Sequence, residues 1–125
     1  MENKLFLSTN LGHTWIFDID GTICKHNGYK LDGRDTLLDG ALEFLHSIPK
    51  EDMIIFVTSR TEEHRELTEA FLRHHSIRYD HIIYGAPYGE RILVNDAKPQ
   101  GLITSYAIST QRDIWCDLSV AKLLE

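Results

Sequence analysis

The chain has 125 residues, 42% of them hydrophobic and 26% charged, the balance of an ordinary globular domain. That length holds one hydrophobic core and is short for two, so a single domain over 1–125 is expected. A net charge of −6 argues against a broad electrostatic grip on nucleic acid, but not against a local basic groove.

No stretch reaches 18 apolar residues, and the start lacks a basic region followed by a long apolar run. Neither a membrane span nor a signal peptide is expected. Cys24 and Cys116 form no metal-ligand spacing and no disulfide framework, which suits a reducing, cytoplasmic setting. There is no internal repeat and no low-complexity segment.

Residues 13–17 lead into a first core strand, which runs directly into Asp18-Ile19-Asp20-Gly21-Thr22. Segment 22–36, with Asn27, Gly28, Gly33 and several charges, reads as an irregular loop or small hairpin. Leu37, Leu38, Ala41, Leu42, Leu45 and Ile48 recur at helical spacing and predict an amphipathic helix over 36–47. Asp35 or Thr36 would cap it, and Pro49 stops it. Residues 53–57 form a continuous apolar run, read as a buried parallel strand. Thr61 has the character of an N-cap, with Glu62 and Glu63 in a first turn where the helix dipole favours them. Leu67, Ala70, Phe71 and His74 would face the core. Short strands are expected at 81–84, 91–94 and 104–108. A last helix is expected over 113–124, with Ile114, Trp115, Leu118, Ala121 and Leu124 as its buried stripe.

Strands alternating with helices imply an α/β fold with a parallel sheet covered on both faces. Ligands in such sheets bind beyond the carboxyl ends of the strands. Asp18, Thr58 and Asp96 each follow an apolar strand, so three polar groups would converge on one crevice. Asp18 and Asp20 would project from the same side of their strand's end. Such a pair can share a hard cation, or divide nucleophilic and acid/base work.

Asp18-x-Asp20-Gly21-Thr22 resembles the first signature of the haloacid dehalogenase-like (HAD) superfamily of phosphotransferases. The resemblance implies a three-layer Rossmann-like domain. It makes Asp18 the nucleophile that forms an aspartyl-phosphate and Asp20 the general acid/base. Mg²⁺ would sit between the Asp18 carboxylate and the Asp20 backbone carbonyl, with Gly21 and Thr22 beside the substrate. Ion-transporting relatives carry Thr at the position of Asp20, so Asp20 implies a phosphatase. The strand ending in Thr58-Ser59-Arg60 resembles the second signature. There Thr58 would hold a phosphoryl oxygen, and Ser59 and Arg60 would line the substrate site. Residues 91–96 resemble the fourth, in which Asp96 completes the Mg²⁺ site. Asn95 replaces the first acid of the usual pair and can still ligate through its carbonyl oxygen.

The third signature, a Lys or Arg that neutralises the phosphoryl group, departs from the family pattern. The matching stretch is Gly85-Ala86-Pro87, with no cation. Lys98, just past Asp96, is the preferred substitute and Arg91 the other, because a strand over 91–94 would put Arg91 toward the far end. The intervals 18–58 and 58–96 each hold one helix and short loops, too little chain for a cap of ~50 or more residues. A capless member would have an open site, covered by the 22–36 loop or by a second copy. The substrate would be a phosphate monoester. It could be a phosphorylated sugar of polysaccharide synthesis, which the acidic charge favours, or a polynucleotide or nucleotide phosphate.

Lys25, His26, Tyr29 and Lys30 follow the paired aspartates and are candidates to touch the leaving group. His74 and His75 form no metal-ligand spacing, and Trp15 and Trp115 read as core. Two rivals remain. One is phosphoryl transfer to an acceptor other than water. The other is a non-catalytic binding or regulatory module, motivated by Asn95 and the missing loop Lys.

Overall fold

A computed structural model describes residues 3–8 and 10–123. Its centre is a three-stranded parallel sheet in the order β2 (Thr14–Phe17), β3 (Met53–Val57) and β4 (His81–Ile83). Phe17 pairs with Phe56, and Phe56 with Ile82. Alternation puts Trp15, Phe17, Ile54, Phe56 and Ile82 on one face. That face packs on Ala41 and Leu45 of α2 (Ala41–Ser47) and Leu72 of α3 (Arg65–His74). Phe56 is completely buried, a burial worth about 1.5–3 kcal/mol. The chain is thus an α/β protein with parallel strands.

The opposite face differs from the expectation of helices on both sides. Ile16 and Ile83 are 53% and 52% exposed there. A second parallel sheet, unforeseen, pairs β1 (Asn3–Ser8) with β5 (Leu118–Leu123).

The helix expected over 36–47 begins only at Ala41. Leu37 pairs with Cys24 in an antiparallel bridge, and the Leu38 N–H donates to the Ile23 carbonyl. Gly40 then turns the chain at φ 94, a left-handed conformation that glycine adopts without a Cβ penalty. The loop expected over 22–36 contains a single helical turn, α1 (Gly28–Leu31).

Helix α3 is entered through a 3₁₀ turn at Glu62–His64, behind Thr61. Its inward stripe is Thr68, Phe71 and Leu72, whereas Leu67, Ala70 and His74 are exposed. The stripe is displaced because Thr68 meets the buried guanidinium of Arg60.

Residues 91–94 and 104–108 are not strands. Ile92 and Val94 are exposed and the backbone there joins no ladder. Side chains tie the two segments instead. Asn95 Nδ2 donates to Thr104 Oγ1 at 2.9 Å, and the Thr104 hydroxyl donates to the Asp96 carbonyl. β-propensity alone does not make a strand without a partner edge.

The helix expected over 113–124 is replaced by turns and β5. Asp113 and Asp117 stand at φ 66 and 51, which breaks a right-handed helix at both points. Leu124 lies outside the described residues. Trp115 still packs against Phe17 and Phe44. Among the described residues, no helix is long and apolar enough to cross a membrane.

Candidate active site

At the carboxyl end of the three-stranded sheet, Asp18, Asp20, Thr22, Ser59, Arg60 and Arg91 line one open crevice of about 1480 Å³. Asn95, Asp96 and Lys98 lie along its other wall. Asp18 immediately follows β2, and its side chain is 35% exposed. The Thr22 hydroxyl donates to Asp18 Oδ2 at 3.0 Å, which fixes the carboxylate's rotation. Arg91 Nη1 lies 3.0 Å from Asp18 Oδ1 and 3.4 Å from the Val57 carbonyl, and its Nη2 is 3.5 Å from Ser59 Oγ. The cation at Asp18 is therefore Arg91. Because 91–94 pairs with no strand, the sheet does not carry Arg91 to its far end, and its guanidinium reaches Asp18. Lys98 stays on the crevice wall and forms no ion pair among the described residues.

Asp20 occupies a different environment two positions on. Arg60 Nε donates to Asp20 Oδ2 and Nη2 to Oδ1, both at 2.9 Å, so the guanidinium fork holds both oxygens. The same guanidinium reaches Asp35 at 3.1 and 2.7 Å and Thr68 Oγ1 at 2.9 Å. The Arg60 and Asp35 side chains are each 1% exposed. Burial alone would lower the Arg60 pKa, but hydrogen bonds and charge from Asp20 and Asp35 outweigh it and hold Arg60 above its ordinary range. Arg60 is thus committed to Asp20 and Asp35 and is not free for a substrate phosphate.

Asp20, Cys24 and Asp35 bring ligand atoms within 4.8 Å of one another. Arg60 Nη2 lies 3.9 Å from Cys24 Sγ and already supplies the positive charge of that cluster. Burial, then Asp35 and Asp20, push the Cys24 thiol well above its ordinary range, which keeps it protonated and a poor ligand.

Thr58 is buried and its hydroxyl faces inward, accepting from the Arg60 backbone N–H at 3.0 Å. Ser59, one residue on, presents the hydroxyl on the crevice. Gly21 stands at φ 81, and its carbonyl accepts from the Asp113 N–H. Asp113 Oδ1 in turn accepts from the His26 N–H at 2.6 Å. These bonds staple the loop after the aspartates to segment 111–115.

Oxygen donors at Asp18, Asn95 and Asp96 suit a hard divalent cation. All three line the one wide crevice, but among the described residues Asp18, Asp20 and Asp96 do not bring their carboxylate oxygens together as one ligand group, contrary to the expected metal site. Sequence reasoning did not find Asp35 and Thr68 as partners of Arg60. Asp35 read as a helix cap and Thr68 as one residue of a helix, so neither carried a signal.

No family model matches the chain, and no curated protein matches it. Among solved structures, the chain resembles one from a Pnkp1/Rnl/Hen1 complex, with a TM-score of 0.51 and 26% identity. The match covers 68% of this chain and 32% of that one. A chain of the Pnkp1/Rnl/Hen1 RNA repair complex matches with a TM-score of 0.52 and 27% identity, covering 67% of this chain and 29% of that one. The protein thus spans about a third of the length of the chains it resembles.

Proposed function

We propose that this protein is a Mg²⁺-dependent phosphatase of HAD type, with a Rossmann-like arrangement, acting on a phosphate monoester at the end of a nucleic acid strand. The observation that carries the reading is Asp18. It is a half-exposed carboxylate at the mouth of a parallel strand, oriented by Thr22 and faced by Arg91 in an open crevice. Likeness to chains from an RNA repair complex tips the substrate from a sugar phosphate toward a nucleic acid end. The open crevice suits a large substrate.

Thr22 holds Asp18 Oδ2, which leaves Oδ1 to meet phosphorus. Arg91 shifts from Asp18 onto the phosphoryl oxygens, where its charge offsets theirs as the transition state forms. The Asp18 oxygen forms the new P–O bond, the ester P–O bond breaks, and protonated Asp20 gives its proton to the departing alkoxide. Asp20, now ionised, takes a proton from water as that water attacks phosphorus and releases Asp18. Arg60, itself held by Asp35, fixes the rotamer of Asp20 and must release one of its two oxygens for Asp20 to carry the proton. Asp18, the Asp20 carbonyl, Asp96 and Asn95 would hold Mg²⁺, which would supply further charge stabilisation.

The test is phosphate release from 3′- and 5′-phosphorylated oligonucleotides and from sugar phosphates, with Mg²⁺. Asp18→Asn should abolish turnover, Arg91→Ala should lower kcat about 10²–10³-fold, and Lys98→Ala should change it little. If no ester is hydrolysed faster by wild type than by Asp18→Asn, the reading fails. A non-catalytic module that binds strand ends is the second reading. The Arg60 fork, which occupies both oxygens of Asp20, favours it, and it calls for binding without turnover.

A further inference from the structure

We propose that Tyr29 is the platform on which the terminal base of a single nucleic acid strand stacks, with Lys30 and Arg112 holding the adjoining backbone phosphates. This rests on the nucleic acid substrate inferred above and assigns the residues that would select it.

Tyr29 belongs to α1, and the preceding residue pair is anchored to the catalytic loop. Asn27, at φ 54, donates its backbone N–H to Asp20 Oδ1 at 3.4 Å, and Gly28 is buried against the Arg34 backbone. The ring is therefore fixed beside Asp20, where a leaving group departs. Arg60 Cζ lies 4.1 Å from the ring centroid, and the His64 ring meets it edge-on at 5.0 Å. Arg60 is buried and Tyr29 is half-buried, so the guanidinium backs the ring from the interior while the ring opens on the crevice. The Tyr29 hydroxyl makes no hydrogen bond among the described residues. A ring that is rigid, backed by a cation and open to solvent has the form of a base-stacking surface.

Charge supports the same ligand. In a chain of net charge −6, Lys30, Lys98 and Arg112 all line this crevice without an ion pair among the described residues. Lys30 Nζ lies over the Tyr29 ring, 5.6 Å from its centroid, on an exposed side chain that an incoming base would displace toward its own phosphate. The Arg112 stem passes Gly21 so closely that a Cβ there would sit 3.2 Å from Arg112 Cγ. Asp113 N–H, bonded to the Gly21 carbonyl, holds that approach in place. A small sugar phosphate could pack its ring on Tyr29 but carries no further phosphates for two cations beyond the phosphoryl site. A polyanion with bases uses all three.

Equilibrium binding of a 5′-fluorescein single-stranded hexanucleotide carrying a 3′-phosphate, followed by anisotropy in EDTA, tests this without turnover. Tyr29→Ala and Tyr29→Leu should weaken binding about 10-fold, the scale of losing one stacked base, and Tyr29→Phe should match wild type. Tyr29→Leu keeps an apolar cover over Arg60, so it separates stacking from disturbance of the buried network. A hexanucleotide whose terminal nucleotide is abasic should bind wild type about 10-fold more weakly and be insensitive to Tyr29→Leu. RNA and DNA versions distinguish the two strand types. Lys30→Ala and Arg112→Ala should each lower the salt-dependence slope by about 0.7. Equal binding of abasic and base-bearing strands, or unchanged binding by Tyr29→Leu, overturns the proposal. Because the readout is binding, a protein that stacks bases but cleaves no ester sinks the phosphatase reading and leaves this one standing.

Discussion

Replacing Arg60 by methionine removes the one positive charge from a cluster that holds two carboxylates, one of them fully buried. The Asp35 side chain is 1% exposed and takes both of its close hydrogen bonds from Arg60. The Asp20 side chain, at 16%, keeps access to water and can rehydrate. The loss is therefore dominated by Asp35 and should reach about 3–5 kcal/mol, the range for breaking a buried ion pair from one side. With a urea m-value of about 1.5 kcal/mol/M, the midpoint should fall by roughly 2–3 M. Arg60→Met with Asp35→Leu removes the stranded charge together with its partner and should recover most of that loss. Equilibrium urea unfolding of wild type, both single variants and the double variant gives the cycle directly. If Arg60→Met is already unfolded in buffer, Arg60→Lys takes its place. It keeps the charge, loses the planar fork and should cost about 1.5–3 kcal/mol. A loss below 1 kcal/mol in the single variant, or a double variant that costs the full sum, would refute the buried network.

Gly40→Ala should destabilise by at least about 1–2 kcal/mol. The position is at φ 94 and a Cβ would lie 3.0 Å from Trp115 Cδ1, so the urea midpoint should fall more than for alanine at exposed Gly89. Cys24 should resist iodoacetamide at pH 8 in the native protein and react readily in urea, because burial keeps its thiol protonated; mass spectrometry of native samples showing fast Cys24 alkylation would contradict this. Burial, then His74 and His46, lower the His75 pKa below its ordinary 6.5. The unfolded chain thus binds more protons in that window, so the His75 contribution is present above pH 6.5 and is lost as pH falls through the lowered folded value. His75→Gln should flatten the fall in urea midpoint between pH 7 and 5, and an unchanged slope would count against it.

The parts of the fold legible in the sequence are those whose partners lie in the core. Strands β2, β3 and β4 announce themselves because Trp15, Phe17, Ile54, Phe56 and Ile82 must be buried, and burial follows periodicity. Runs 91–94 (Arg-Ile-Leu-Val) and 104–108 (Thr-Ser-Tyr-Ala-Ile) also contain residues that favour strands, yet nothing in a residue run says whether a neighbouring edge will accept it. The start of α2 was hidden for a related reason. Leu37 and Leu38 fit a helical stripe, but the loop that follows Asp18 and Asp20 takes their backbone into pairing with Ile23 and Cys24. At the candidate site, the sequence pointed to Asp18 and Asp20 through their spacing at a strand end and through the resemblance of Asp18-x-Asp20-Gly21-Thr22 to the first HAD signature. It could not show that Arg91 rather than Lys98 reaches Asp18, since that depends on whether 91–94 pairs into the sheet.

The two aspartates illustrate how one short motif is divided by its surroundings. Asp18 and Asp20 differ by two positions, and on a regular strand they would share a face and repel each other across it. β2 stops at Phe17, and the Gly21 turn lets the chain part the two carboxylates. Asp18 stays on the crevice, touched by a hydroxyl and by an exposed arginine that a phosphoryl group can draw away. Asp20 is locked by a buried arginine that Asp35 and Thr68 hold from behind. A nucleophile must be accessible and its counter-charge mobile, whereas an acid/base group must keep one orientation through two successive proton transfers. On the proposed phosphatase reading, Arg91 at the surface would meet the first demand and Arg60 in the interior the second. Exchanging the two roles would fail on both counts, because Arg60 cannot leave without stranding Asp35, and Arg91 is too exposed to hold a carboxylate still.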